Sequence, residues 1–77
     1  MIAVDARLEA VFKKAFKLEA IADDTSPMNV KGWDSMGHLA LITELELQFG
    51  VTFAVDEWSQ MVSVRAIKEI LAARGIA

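Results

Sequence analysis

Asp34-Ser35-Met36-Gly37-His38-Leu39-Ala40-Leu41-Ile42-Thr43-Glu44-Leu45-Glu46-Leu47-Gln48-Phe49-Gly50 is the stretch on which the fold turns. Its apolar residues recur at steps of three and four, the period of an α-helix. Asp34 is a residue type that caps a helix N-terminus, and Gly50 a type that turns left-handed past a C-terminus. The reading is a helix from Ser35 to Phe49. At about 100° per residue, Leu39, Ile42, Leu45 and Phe49 gather on one side as the expected core face. Met36, Ala40, Thr43 and Leu47 gather a quarter-turn or more away, with Glu44 at one edge. A small bundle buries only one broad face of a helix. The second stripe is therefore expected to be exposed in part and to serve as a docking surface for another protein. The alternative is a central helix buried on two sides.

Working outward, residues 2–20 read as another helix. Val4, Leu8, Val11, Phe12, Ala15 and Phe16 make its apolar face, and Arg7, Glu9, Lys13, Lys14 and Lys17 mostly take the other side. Asp5 sits at its start, either as a cap or as a favourable first-turn acid. From Ala22 to Asp34 the period is lost. Asp23-Asp24-Thr25-Ser26-Pro27 is turn chemistry, and Met28, Val30 and Trp33 give the loop something to bury. A loop this long in so small a domain points to a role. Downstream, Val51, Phe53 and Val55 are apolar connectors, and Asp56-Glu57-Trp58-Ser59-Gln60-Met61 reads as a short helix opened by Asp56. Ser63 caps a last helix over 64–74, with Val64, Ile67, Ile70 and Leu71 inward and Gly75 stopping it. The expected fold is all-α: a small four-helix bundle, with a short third helix and a long loop between helices one and two. One domain spans residues 1–77.

Composition narrows the function classes. The chain has 77 residues, 55% hydrophobic and 25% charged, a globular balance. Without cysteine it forms no disulfide, offers no thiolate ligand and has no cysteine nucleophile. One histidine, His38, cannot build a multi-histidine metal site. The net charge is −3. That repels nucleic-acid phosphates and anionic membrane surfaces, so neither is an expected partner. Leu39-Ala40-Leu41-Ile42 is as long as any uninterrupted apolar run, far short of the roughly 20 residues of a membrane span. The opening Met1-Ile2-Ala3-Val4-Asp5 lacks a basic region, so no signal peptide and a cytoplasmic location are expected. There is no nucleophile–base pair, no metal set and no interdomain cleft. No catalytic residue and no metal ligand are assigned, and a monomeric non-enzyme is the expectation.

Asp34-Ser35 lies where the long loop meets the central helix. A cap explains the dipeptide by itself. The free N–H groups and macrodipole of the helix N-terminus also suit a phosphate on the Ser35 hydroxyl, so the position permits a phosphodiester.

Gly32-Trp33-Asp34-Ser35-Met36-Gly37-His38-Leu39, followed by Ile42-Thr43-Glu44-Leu45-Glu46-Leu47-Gln48-Phe49-Gly50-Val51, resembles the acyl carrier protein family. The family motif is Asp-Ser-Leu at the start of the second helix, then an apolar–acidic helix ending in Phe. Phe53, Trp58, Met61 and Ser63-Val64-Arg65-Ala66-Ile67 continue the likeness, which covers nearly the whole chain. The resemblance implies a carrier and not a catalyst. Ser35 would receive 4′-phosphopantetheine from coenzyme A through a separate phosphopantetheinyl transferase. The thiol of that arm would hold acyl groups as thioesters for a ligase, acyltransferase or ketosynthase. Asp34 and Met36 would flank the attachment point and be read by the transferase. Met36, Ala40, Thr43, Glu44, Glu46 and Leu47 would belong to the partner-facing helix. Leu39 and Ile42 would line the space into which some carriers tuck their cargo.

The chain departs from the family pattern in places. Met36 replaces the usual Leu, a swap of similar volume. Only Glu44 and Glu46 supply acid to the helix, and His38, Ala40 and Leu47 stand where polar or acidic residues are common. The string Trp33 to His38 looks more like free-standing carriers of specialised pathways, polyketide and related biosynthesis, than like those of primary fatty-acid synthesis. A peptidyl or aminoacyl carrier is an alternative, and so is a helical protein-interaction domain without a cofactor.

Further expectations concern individual residues. His38 either contacts the arm or is a partly buried first-turn histidine. Trp33 packs against the bundle and sets the loop's approach, and Trp58 covers the core from the third helix. Arg65, Lys68 and Arg74 form a solvated face. Asp23 and Asp24 solvate the loop and are too few to hold a hard cation.

Overall fold

Capping chemistry sets most of the boundaries. In the computed structural model, which describes residues 4–76 and the side chains from Ala6 onward, the helices are α1 (Val4–Phe16), α2 (Ser35–Phe49), α3 (Val55–Gln60) and α4 (Val64–Ala73). Among the described residues there is no strand. Asp34, in extended conformation, accepts a hydrogen bond from the Gly37 N–H at 2.8 Å and opens α2. Gly50 closes it at φ 66°, its N–H donating to the Glu46 carbonyl at 2.9 Å. Ser63 Oγ accepts from the Ala66 N–H at 3.1 Å and opens α4. The short helix starts one residue earlier than expected. The Ala54 N–H donates to the Glu57 carboxylate at 2.8 Å, so Glu57 supplies the cap and Asp56 falls inside the first turn.

α1 ends a turn short of the expected Ala20. Lys17 adopts φ 59°, and its N–H closes on the Lys13 carbonyl at 2.8 Å. Lys-Leu-Glu-Ala has good helix propensity, yet the break lets Leu18 and Ile21 pack half-buried against the core. Burial of two aliphatic side chains outweighs the small propensity of one more turn. The expected start at Ile2 lies outside the described residues, and the Asp5 cap and the Val4 side chain lie outside the described side chains.

The core draws Leu8, Val11 and Phe12 from α1, Leu41, Ile42 and Leu45 from α2, and Val64, Ile67 and Leu71 from α4. Val30, Trp33, Phe53 and Met61 join it from the connections. Trp33 is 4% exposed. Phe12 meets it edge-on at 5.4 Å and Phe16 stacks on it at 5.5 Å.

The core face of α2 is rotated from the expected one. Leu41 is fully buried, whereas Leu39 is 51% exposed. The buried arc is centred roughly 45° away from the Leu39–Ile42–Leu45–Phe49 face. The cause is the placement of α1. Lys14 reaches Glu44 at 3.6 Å, and Arg7 donates to the Gln48 carbonyl while lying 4.3 Å over the Phe49 ring. Those contacts put α1 on the Leu41 side.

The long connection, residues 17–34, is ordered by its own polar groups. The Ser26 N–H donates to Asn29 Oδ1, and Asn29 Nδ2 donates to the Asp24 carbonyl. The Val64 and Arg65 N–H groups, open donors of the first turn of α4, donate to the carbonyls of Thr25 and Asp23. The Asp23 carboxylate accepts from Lys68 at 3.0 Å and pairs with Arg65 at 3.8 Å. Arg74 pairs with Glu57 and lies 4.9 Å over the Phe53 ring. These three cations are thus not a plain solvated face, and Asp23 is a tether of the loop, not only its solvation.

At Gly37 an added Cβ would lie 2.0 Å from the Gly32 carbonyl oxygen and 3.0 Å from the Phe16 ring. Backbone meets backbone there, so neither side can give. Gly32 itself sits at φ 100°, closed to most side chains. We predict that Gly37→Ala destabilises the fold by about 1–3 kcal/mol or more, read as a lowered urea midpoint. An unchanged midpoint would show that the close approach is dispensable.

The tether also sets a pH dependence. The hydrogen bond from Lys68, then the charges of Lys68 and Arg65, hold the Asp23 carboxyl below its ordinary value, and the bond from Arg74 does the same for Glu57. A lowered value in the folded state means that stabilisation is complete above the ordinary carboxylate range, about 4, and is lost as pH falls through the lowered value. The stability advantage of wild type over Asp23→Asn should therefore shrink from neutral pH to about pH 3, measured by urea unfolding at both.

Candidate functional site

Ser35 is the first residue of α2 and is exposed. Asp34 is committed beside it: its carboxylate accepts from the Gly37 N–H, and its carbonyl accepts from the His38 N–H at 2.7 Å. The N–H groups of Ser35 and Met36 have no partner among the described residues, as expected for the first turn of a helix. Met36 is 80% exposed.

Two hollows lie side by side from this point. Pro27, Trp33, Asp34, Ser35 and His38 line a shallow depression of about 320 Å³. A second, of about 360 Å³, is walled by His38, Val55, Trp58, Met61 and Val62, with Pro27 and Ser59. Pro27 and His38 belong to both. Together they make a shallow trough that begins at Ser35 with mixed walls and continues beside α3 with mainly apolar ones.

His38 is half-buried and its ring nitrogens are both engaged. Trp33 Nε1–H donates to Nδ1 at 2.9 Å, and Nε2 lies 2.7 Å from the Trp58 carbonyl oxygen. Of the two expectations, the partly buried first-turn histidine describes the geometry. Trp33 packs as expected, and Trp58 is half-buried, its indole N–H donating to the Phe53 carbonyl at 3.2 Å.

The second stripe of α2 is exposed: Met36, Ala40, Thr43 and Leu47, with Leu47 at 72%, and Leu39 joins it. Glu44 and Glu46 flank this stripe half-buried. Glu44 pairs with Lys14, and Glu46 Oε2 accepts from the Phe53 N–H at 2.9 Å, holding the α2–α3 connection. The stripe itself therefore carries no charge. Leu39 and Ile42 do not share a lining: Ile42 is core and Leu39 is outside. Sequence reasoning did not foresee Pro27, Val55 and Val62 as trough walls. The unpaired periodicity of Val55 and Val62, apolar residues outside any stripe, was the available signal.

Among the described residues no cluster of His, Cys, Asp or Glu can hold a metal ion, and no helix is long and apolar enough to cross a membrane. Compared with known protein families, curated proteins and solved structures, the chain finds no match.

The exposed and buried faces of α2 predict opposite outcomes for neighbouring leucines. Leu47→Glu should change stability by no more than about 0.5 kcal/mol and leave helicity intact. Leu41→Ala should cost about 2–5 kcal/mol. Circular dichroism with urea titration distinguishes them, and a large loss of helicity in Leu47→Glu would place that residue in the core.

Proposed function

We propose that this chain is a carrier of the acyl carrier protein type, a four-helix bundle whose Ser35 is the attachment point for 4′-phosphopantetheine. One observation carries the reading: an exposed serine begins α2 at the end of a shallow trough that continues into a mainly apolar hollow beside α3. The residues present suit the group. The free N–H groups of Ser35 and Met36 favour a phosphodiester on the hydroxyl, and the helix dipole adds to this. Asp34 holds the first turn in register through Gly37 and keeps the serine at its start. His38 and Pro27 form the waist of the trough, and Val55, Trp58, Met61 and Val62 wall its apolar end. When attached, the arm supplies a thiol that holds acyl groups as thioesters, chemistry a cysteine-free chain does not have.

The chain's own part is then presentation, and it needs no catalytic residue. Met36 stands beside the serine for a phosphopantetheinyl transferase to read. Met36, Leu39, Ala40, Thr43 and Leu47 offer a docking face to the loading and processing enzymes, a ligase, an acyltransferase or a ketosynthase. Glu44 and Glu46 are spent on internal ties. Recognition on this face is therefore apolar more than electrostatic and should weaken little with salt. That favours a dedicated carrier of a specialised pathway, such as polyketide biosynthesis, working as a cytoplasmic monomer, over the acid-rich carriers of primary fatty-acid synthesis.

The exposed apolar stripe also suits a docking domain with no prosthetic group, and the two readings part at Ser35. The test is intact mass after incubation with coenzyme A and a broad-specificity phosphopantetheinyl transferase, beside Ser35→Ala. The expected result is a gain of one phosphopantetheinyl group on the native chain alone. No gain on folded protein with two unrelated transferases would overturn the carrier reading in favour of the docking domain.

A further inference from the structure

His38 stands between the two tryptophans of the chain and is bonded to both residues. An indole N–H can only donate, and a backbone carbonyl can only accept. Trp33 Nε1–H at 2.9 Å therefore requires a bare lone pair on His38 Nδ1. The Trp58 carbonyl oxygen at 2.7 Å requires the proton on Nε2. One neutral tautomer satisfies both. It ties together the end of the long loop, the first turn of α2 and the short helix α3. The Trp33 and His38 rings lie 18° from parallel with centroids 6.2 Å apart, as an in-plane N–H···N bond requires. The tie crosses the waist of the trough, because His38 lines both hollows.

We infer that His38 is a proton-operated latch on this trough. A proton arriving at Nδ1 turns the acceptor into a second donor. Trp33 Nε1–H then faces another N–H, and that bond is lost. The bond from Nε2–H to the Trp58 carbonyl survives and gains charge assistance. The join thus opens on the loop side and holds on the α3 side. Trp33 is a residue only 4% exposed, so its released indole N–H needs a new acceptor or water.

The surroundings of the ring hold one ionisable side chain, Asp34, and two hydroxyls, Ser35 and Ser59. Asp34, on the cap of α2, is the ionisable neighbour and lines the first hollow, with its Oδ1 accepting from the Gly37 N–H. The loop contributes Pro27 and Trp33, and α3 with the residues after it contributes Val55, Trp58, Ser59, Met61 and Val62, none of them ionisable. Phe16 of α1, stacked behind Trp33, carries no charge. The latch rests on hydrogen-bond geometry alone. Its consequence for a group on Ser35, a trough that loosens in acid, rests on the carrier reading.

The test uses the full chain without coenzyme A or transferase, so its outcome is separate from that of the carrier reading. Long-range proton–nitrogen NMR of the labelled imidazole should show the Nε2–H tautomer at neutral pH. On acidification the Trp33 indole N–H resonance should move upfield in step with the His38 ring, while far-UV circular dichroism stays constant. The Trp58 indole, bonded to the Phe53 carbonyl, should move less. In His38→Gln, whose amide can accept from Trp33 and donate to Trp58, the Trp33 resonance should stay flat over the same acidification. An Nδ1–H tautomer at neutral pH would overturn the latch. So would a Trp33 resonance that ignores the titration of His38, or one that moves equally in His38→Gln. The first two readouts need only the native chain and decide the matter even if the variant does not fold.

Discussion

Burying Trp33 is the constraint from which the site is built. An indole of this size removes about 150–250 Å² from water. At about 25 cal/mol/Å² that is an upper figure of about 4–6 kcal/mol, large for a domain with a thin core. Phe12 and Phe16 close on the ring, so α1 must present Phe16 at its end and then turn away. The Gly32 backbone must come down on the first turn of α2, which is open only where Gly37 has no side chain. The indole N–H must find an acceptor, and His38 provides it. His38 in turn needs an acceptor, and the Trp58 carbonyl provides that. Thus one apolar burial sets the position of the loop, the tautomer of a histidine and the location of α3.

Polar contacts finish what burial begins. The loop is long, and its entropy opposes order. Its carbonyls at Asp23 and Thr25 accept from the open end of α4, satisfying backbone groups that both segments would otherwise leave to water. The Asp23 ion pairs are exposed and individually weak. Their value is in direction: they fix which part of the loop lies over α4. Glu46 does comparable work at the other connection by accepting from the Phe53 N–H.

Using both glutamates of α2 internally changes the character of its outer face. Met36, Leu39 and Leu47 are left as a solvent-facing apolar stripe with Ala40 and Thr43 between them. A stripe of this kind is unusual on a small surface and is the feature that separates this helix from an acid-rich docking helix. It begins at Met36, beside Ser35, so whatever docks on α2 has the serine and the mouth of the trough within reach. The stripe and the serine are contiguous on the exposed side of one helix.

Local signals in the chain determined much of this. Asp34 and Gly50 bounded α2, Ser63 opened α4, and the helical periods marked the segments, because capping and periodicity act between residues a turn apart. The Asp34-Ser35 placement at a helix start was legible for the same reason, as was the exposure of Met36, Ala40, Thr43 and Leu47. What the tertiary structure decided was which apolar residues face which neighbour. α2 has apolar residues nearly all round, so only the seat of α1 chose Leu41 over Leu39 for the core. Only tertiary packing of Phe16, Leu18 and Ile21 ended α1 at Phe16, and only the fold brought Trp33 and the Trp58 carbonyl to the two nitrogens of His38. Only the fold brought Pro27, Val55 and Val62 beside Ser35 and turned Glu44 and Glu46 inward. These are contacts between residues far apart in sequence, whose free energy depends on shape and distance that no local pattern encodes.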